Sequence, residues 1–216
     1  MPTHSAAQRV PKQARSAETV ERLLDAAEAL LEEKSFDDTS VAEIAARARM
    51  TIGALYARFP DKDAVLRLLE ERMTADFVAV VDEDLRPQAS SRRVTLERFI
   101  LSHHRRLIST YARHRAVARA LVLRSHTDPM LKRRLDQLNE KNMPRLAHVL
   151  LKSAKIKHPK PERAVAFALL AARSLCREVI LFREGWSGYR SPSGEAFAEE
   201  LTRMFFGCLG MTMRSR

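Results

Sequence analysis

Thr51, Tyr56, Arg58 and Lys62 place two hydroxyls, a guanidinium and an ammonium within twelve consecutive residues. Hydroxyl and ammonium groups donate hydrogen bonds to anionic oxygens such as those of phosphate, whereas a guanidinium can donate to two acceptors at once. Among the residues from Thr51 to Phe59, Arg58 is the one whose side chain can reach O6 and N7 of guanine together. The stretch therefore combines groups that can hold a phosphate backbone with one group that can read a base.

Two short helices must position these groups, and the sequence marks where each helix begins. Ser40 followed by Glu43 is a capping box that starts the first helix, and Thr51 can cap the second. Apolar residues at helical spacing continue from Ile52 until Pro60 stops the helix, which predicts a second helix of about seven residues. A helix this short must be held by packing on its neighbours, which leaves its outer face free for a partner. Duplex DNA is the partner that this helix-turn-helix pattern indicates.

The predicted DNA contacts follow from side-chain chemistry. Ile52, Ala54 and Ala57 can touch only thymine methyl groups or sugar, so Arg58 predicts one dominant guanine in each half-site. The N–H groups at the start of the second helix can add to the phosphate contacts. The predicted set is Ser40, Thr51, Ile52, Gly53, Ala54, Tyr56, Ala57, Arg58 and Lys62.

Three of these assignments have alternatives in the sequence. Tyr56 can instead be a core residue with its hydroxyl at the edge, and Lys62 can be a solvated charge at a helix start. Arg58 can instead pair with Asp61.

Composition predicts a globular, helical, cytoplasmic protein. The 216 residues are 45% hydrophobic and 30% charged, and the longest uncharged apolar run, 164–172, is far too short to span a bilayer. Cys176 and Cys208 are the only cysteines, so neither a disulfide framework nor a metal site is expected, and no cofactor motif is present.

The net charge of +11 is unevenly distributed along the chain. Residues 1–66 contain nine Lys and Arg against eleven Asp and Glu, and the remainder contains 29 against 16. The balance is therefore −2 in the segment with the short helices and +13 beyond it. Overall basicity is weak evidence for DNA binding here, which depends on a few placed residues.

Strong helix formers with apolar residues at helical spacing predict an all-α fold of about nine helices. We expect three segments: a flexible basic arm over 1–15, a helix-turn-helix DNA-binding domain over 16–66, and an effector-binding and dimerisation domain over 67–216. Outside the two short helices, the predicted helices span about 16–33, 62–84, 92–112, 115–124, 129–153, 162–184 and 191–210. The first of these carries one apolar stripe, and Asp128 is expected to cap the helix that starts at 129.

The order of these elements resembles the TetR family of bacterial transcriptional regulators. The resemblance is carried by SVAEIA at 40–45, GALYARF at 53–59 and DKDAVL at 61–66. It implies a homodimeric repressor of operator DNA that a small-molecule effector releases. Two glycines usual in the family fall at Ser35 and Arg49, so either residue can be forced into a left-handed conformation. The family's usual Lys and Thr near the start of the second short helix are Ile52 and Ala54 here.

The last two long helices are predicted to form the subunit interface, by packing a small-residue face against a bulky one in a two-fold four-helix bundle. Burial of the same residues inside one subunit is the alternative. The predicted interface residues are Ala168, Ala172, Leu175, Val179, Phe197, Leu201 and Phe205.

The resemblance also implies an effector cavity between the long helix that starts near residue 62 and residues 92–184. The predicted contacts are Phe99, His103, Leu107, Met143 and Phe167, although such a stripe is also typical of plain core. The effector is expected to be anionic or lipophilic, acyl-coenzyme A being one example. It is expected to favour a dimer whose two DNA-reading helices no longer match successive major grooves.

Two other classes of protein compete with this interpretation. An all-helical enzyme is disfavoured because no nucleophile, phosphate-binding or zinc motif is present. A nonspecific architectural DNA binder is favoured by the basic excess but disfavoured by a reading helix with few basic residues.

Overall fold

The computed structural model describes residues 12–86, 95–153, 156–182 and 194–212. Over these residues the protein consists of nine α-helices and no β-strand, which confirms the predicted all-α fold. The helices are α1 (Lys12–Glu33), α2 (Val41–Arg47), α3 (Ile52–Tyr56), α4 (Lys62–Asp84), α5 (Leu96–Arg113), α6 (Arg115–Ser125), α7 (Pro129–Ser153), α8 (Pro161–Phe182) and α9 (Glu195–Cys208).

Several helix boundaries differ from the prediction. Helix α1 begins at Lys12, so residues 12–15 of the predicted arm are helical, while residues 1–11 lie outside the described residues. Helix α3 ends at Tyr56 because its last turn tightens, with Arg58 N–H donating to the carbonyl of Leu55 at 2.9 Å. Helix α9 begins at Glu195, and the predicted start near residue 191 lies outside the described residues.

The chain divides into two compact units, and the boundary between them along the sequence falls within α4, after Leu69. In unit 1, through Leu69, α1 packs on α2 and α2 on α3. The predicted apolar stripe of α1 is buried there at Leu23, Leu24, Ala27, Leu30 and Leu31, together with Ile44, Leu55 and Phe59. Each of the large side chains in this set contributes roughly 1.5–3 kcal/mol when it leaves water, so this small core holds the two short helices.

In unit 2, from Glu70, α5, α8 and α9 pack on one another, and α7 packs on α6 and α8. Asp128 caps α7 as predicted, because its Oδ1 accepts hydrogen bonds from the N–H groups of Met130 at 2.9 Å and Leu131 at 3.0 Å. Pro144 lies inside α7, which continues as a helix beyond it.

Among the described residues, no helix is both long and apolar enough to cross a membrane. The same residues contain no group of three or more His, Cys, Asp or Glu side chains that could hold a metal ion. Cys176 and Cys208 are free thiols, and burial raises the pKa of Cys176 to about 12.

Candidate nucleic-acid interface

The N-terminus of α2 is held by the predicted capping box. The Ser40 hydroxyl oxygen accepts from the Glu43 N–H at 3.2 Å, and the Glu43 carboxylate accepts from the Ser40 N–H at 2.8 Å. Lys34 also pairs with Glu43. Hydrogen bonds from Lys34, then from the Ser40 backbone and hydroxyl, lower the pKa of Glu43 to about 2. The carboxylate is therefore ionised across the physiological range and fixes the start of α2.

The turn after α2 contains the one non-glycine residue with positive φ among the described residues, Arg49 at 56°. Its N–H donates to Ala46 at 3.1 Å, and the N–H of Met50 donates to Ala45 at 2.8 Å. These two bonds form a Schellman motif, which usually has glycine at the left-handed position. The expected left-handed conformation is confirmed for Arg49.

The turn at Ser35 is formed by side-chain hydrogen bonds, unlike the turn at Arg49. The Ser35 hydroxyl donates to the Asp38 carboxylate at 2.6 Å and accepts from the Asp38 N–H at 3.2 Å. This side-chain turn keeps Ser35 out of the left-handed region.

One face of helix α3 packs on the core of unit 1, and the other face is exposed to solvent. Thr51 caps it by accepting from the Ala54 N–H at 3.1 Å, and Leu55 is fully buried. Ile52 is 48% exposed and Tyr56 is 52% exposed, so Tyr56 is not a core residue. A Cβ placed on Gly53 would meet no atom within 4 Å. The outer face of α3 therefore presents two large apolar side chains and a bare backbone that the core of unit 1 does not use.

Arg58 is exposed and lies in the turn after α3, where its guanidinium donates to the Ala54 carbonyl at 3.1 Å. Its alternative partner, Asp61, instead accepts from the Ala64 N–H at 2.7 Å and lies 3.6 Å from Arg67. Among the described residues, the Arg58 guanidinium thus hydrogen-bonds only to a carbonyl of the neighbouring helix α3.

Lys62 has a different role from the expected phosphate contact. Its ammonium donates to the carbonyl oxygens of Phe36 at 2.8 Å, Thr39 at 3.0 Å and Asp37 at 3.2 Å. It also lies 4.5 Å from the centre of the Phe36 ring. Because an ammonium has three hydrogens to donate, these carbonyls engage all of them. Lys62 thus links α4 to the loop after α1. Neither of the two roles considered from the sequence included this contact.

Unit 2 encloses a cavity of about 310 Å³. Three of the predicted effector contacts, His103, Leu107 and Met143, line this cavity. Phe99 and Phe167 do not: Phe99 is buried elsewhere in the core, and Phe167 is 61% exposed. Successive side chains on a helix point about 100° apart. Because Ala168 faces the core, the adjacent Phe167 is turned toward solvent.

Two buried histidines line the cavity, and Nδ1 of each has a hydrogen-bond partner. His103 Nδ1 lies 2.6 Å from the carboxylate of Asp84, which Arg106 also contacts. His104 Nδ1 lies 2.8 Å from the Thr202 hydroxyl, which donates its one hydrogen to the Ala198 carbonyl at 2.7 Å.

The Thr202 oxygen must therefore accept from Nδ1–H of His104, which leaves Nε2 as an unprotonated acceptor. Burial, then the proximity of His103, lowers the pKa of His104 well below its usual range, in agreement with a neutral ring. Nε2 of His104 is itself buried and has no hydrogen-bond partner among the described residues.

The predicted subunit interface needs correction. Six of its seven residues are buried within a single chain, where α8 packs on α5, α7 and α9. Only Leu175 is partly exposed. The six are Ala168, Ala172, Val179, Phe197, Leu201 and Phe205. The outward face of α8 instead carries Phe167, Leu170 and Phe182, which are exposed.

A capped helix, a tight turn and a short exposed second helix, attached to a separate helical unit, define the class of helix-turn-helix DNA-binding proteins. Residues 23–69 match the family model of bacterial regulatory proteins, tetR family. This match confirms the resemblance seen in the sequence, over residues 23–69 of the N-terminal unit.

Comparisons with individual proteins agree with this assignment. The A-factor receptor protein of Streptomyces griseus is 33% identical over 64 residues, which are 30% of this chain and 23% of that protein. The match thus spans about a quarter of that relative.

Solved structures of similar fold cover nearly the whole chain. A tetR-family regulatory protein from Rhodococcus RHA1 aligns with a TM-score of 0.69 at 19% identity, over 92% of this chain and 98% of that one. The TetR-family regulator PfmR from Thermus thermophilus aligns with a TM-score of 0.68 at 17% identity, over 89% of this chain and 100% of that one. At these identities the likeness shows the fold.

Proposed function

We propose that this protein is a homodimeric, sequence-specific transcriptional repressor that a small-molecule effector releases from operator DNA. The observation that carries the proposal is the outer face of α3, where Ile52, Gly53 and Tyr56 are exposed without serving the core. Exposed large apolar side chains on a short, well-capped helix suit a surface that enters a major groove.

Each exposed group has a proposed role in the complex. Arg58 reads a guanine after it leaves the Ala54 carbonyl, and Ile52 contacts thymine methyl groups. The Tyr56 hydroxyl holds a phosphate, and Gly53 lets the backbone approach the DNA closely. Thr51, Ala54 and Ala57 border these contacts, and Ser40 serves mainly as the cap of α2.

The proposed dimer uses the outward face of α8. Phe167 and Leu170, 61% and 55% exposed, lie on one face about a turn apart, and Phe182 extends it. Burial of such a patch against its two-fold copy supplies the hydrophobic interface that a symmetric dimer requires.

The proposed effector site is the cavity of unit 2. Its volume of about 310 Å³ is at the lower end of the roughly 300–1,000 Å³ typical of small-ligand pockets, which favours a compact molecule over a complete acyl-coenzyme A. Met73, Phe77 and Val80 of α4 line it, and α4 is the helix that continues into the DNA-binding unit. A ligand that binds better to one position of α4 shifts the equilibrium away from the DNA-binding arrangement.

Operator capture tests the proposal. The full-length chain is used to capture genomic DNA fragments in the presence of excess random DNA, and the affinity for a captured duplex is measured by fluorescence anisotropy. Tyr56→Ala and Arg58→Ala are expected to weaken binding about 5- to 100-fold, and only Arg58→Ala should relax the preference at one base pair. Arg22→Ala, an exposed arginine on α1, is the matched control. Capture that random DNA abolishes, or affinities unchanged in both variants, would contradict the proposal.

A further inference from the structure

We propose that the cavity of unit 2 binds an amphipathic carboxylate, whose charged group is held by Arg173 and Arg177 of α8. The inference rests on the proposed role of this cavity as the effector site, and it names the chemical class of the effector.

The first argument is that two arginines line the cavity without an acid partner. Arg173 and Arg177 are one helical turn apart, and neither forms an ion pair with a carboxylate in the described parts of the chain. Lys132 lines the same cavity, but Asp136 neutralises it at 2.7 Å. Both arginines are only partly exposed. Because charges withdrawn from solvent are normally paired, two unpaired cations in one cavity indicate that the missing anion belongs to the ligand.

The second argument is an unsatisfied donor on Arg173. Its Nε is buried and has no hydrogen-bond partner among the described residues. Tyr111, a buried residue, lines the same cavity. Since nearly all buried polar atoms in proteins find a partner, the orphan donor favours an acceptor supplied from outside the chain. A carboxylate offers two oxygens in the geometry that a guanidinium fork matches.

The third argument is the apolar character of the remaining wall. Phe77, Leu107, Leu121, Leu135 and Leu169 line the cavity. A small, highly charged molecule would leave these side chains without a partner, whereas an alkyl or aryl body would cover them. The ligand is thus a compact carboxylate with one charged end and an apolar body.

Calorimetric titration of the full-length protein tests this assignment. The probes are 4-phenylbutanoate and decanoate, each compared with the amide and the alcohol of the same skeleton. We expect at least one carboxylate to bind about tenfold or more tightly than its neutral analogues. Arg177→Gln should weaken that carboxylate about 10- to 100-fold and leave the neutral analogues unchanged.

Two further variants keep the test decisive. Arg163→Gln, an exposed arginine on α8 that does not line the cavity, should bind like the wild type. Arg173→Lys retains the charge but not the fork and should give an intermediate affinity, and thermal unfolding checks that each variant is folded. Equal affinity of acid, amide and alcohol, an unchanged Arg177→Gln variant, or no binding of either carboxylate up to millimolar concentration would overturn the proposal.

Operator affinity measured without additive separates this inference from the proposed function. If the operator is bound and carboxylates are not, the DNA-binding function stands and the ligand class is wrong. If carboxylates bind as expected and no duplex is bound, the ligand class stands and the regulatory function is wrong.

Discussion

Lys62 shows how one residue can acquire a role that its sequence position does not reveal. Its three carbonyl partners lie 23 to 26 residues earlier in the chain, so no local pattern links them to it. We predict that Lys62→Met lowers the free energy of unfolding by about 1–3 kcal/mol, because part-buried carbonyls lose a charged donor. Operator affinity of the folded variant should keep the salt dependence of the wild type.

Urea unfolding and anisotropy at several salt concentrations measure these effects, with the exposed Lys141→Met as control. Wild-type stability combined with a salt slope smaller by about one would show that Lys62 contacts a phosphate after all.

Arg49 illustrates a conformational cost that glycine would avoid. A left-handed residue with a side chain costs roughly 1–2 kcal/mol, and the extra freedom of glycine in the unfolded chain offsets part of this gain. We therefore expect Arg49→Gly to stabilise the protein by about 0.5–1 kcal/mol in urea unfolding. Ser35→Gly should instead destabilise it, because φ is not positive there and the bonds to Asp38 are lost. A destabilised Arg49→Gly variant would mean that its side chain makes contacts that outweigh the strain.

His104 predicts a pH dependence of stability. The folded protein lowers its pKa below the usual value of 6.5, so below about pH 6.5 the unfolded chain binds more protons than the folded one. Stability should therefore decrease as pH falls from about 7.5 to about 5.5, with a slope of up to about 1.4 kcal/mol per pH unit from this group.

His104→Asn should flatten this part of the profile in denaturant unfolding, whereas the control variant His148→Asn, on α7, should leave it unchanged. An unaltered profile in His104→Asn would show that the ring accepts a proton without cost in the folded protein.

At the scale of the helices, the features set by neighbouring residues could be predicted from the sequence. The capping box at Ser40, the cap at Asp128 and the left-handed turn at Arg49 each depend on bonds within a few residues. The apolar stripe of α1 could also be predicted, because polar residues occupy the opposite face of this helix.

The inward side of α8 could not be predicted, because both faces of this helix are apolar. Periodicity assigns Ala164, Ala168 and Ala172 to one face but does not say what covers them. They are buried within the chain, since small side chains let α8 approach its neighbours in unit 2 closely. On the other side, Phe167 was therefore predicted to contact the effector, and Leu170 was not included in any predicted site.

The exposed face of α8 yields a prediction about assembly. Phe167→Glu places a charge at the centre of the proposed interface, so it should convert a dimer into a monomer at micromolar concentration. Leu123→Glu changes a side chain that is 56% exposed on α6 and should leave the dimer intact. Sedimentation equilibrium distinguishes the two outcomes. A Phe167→Glu variant that remains dimeric, or a monomeric wild type, would remove this face from the account.

At the scale of the whole molecule, charge and function are separated along the chain. Residues 1–66 carry a balance of −2, although they contain the proposed DNA-reading surface, and the excess of +13 lies beyond them. In the proposed dimer, a few placed groups, each present twice, supply the affinity for DNA, rather than a general basic field.

This arrangement makes the symmetry of the bound DNA the most informative property of the system. The most direct measurement is selection of duplexes from a random library by the wild-type chain in excess nonspecific DNA. The account predicts an inverted repeat whose half-sites are centred about 34 Å apart, or at a related spacing, with one strongly preferred guanine in each half. A selection that enriches no sequence, or that enriches a single unrepeated site bound by one chain, would contradict it.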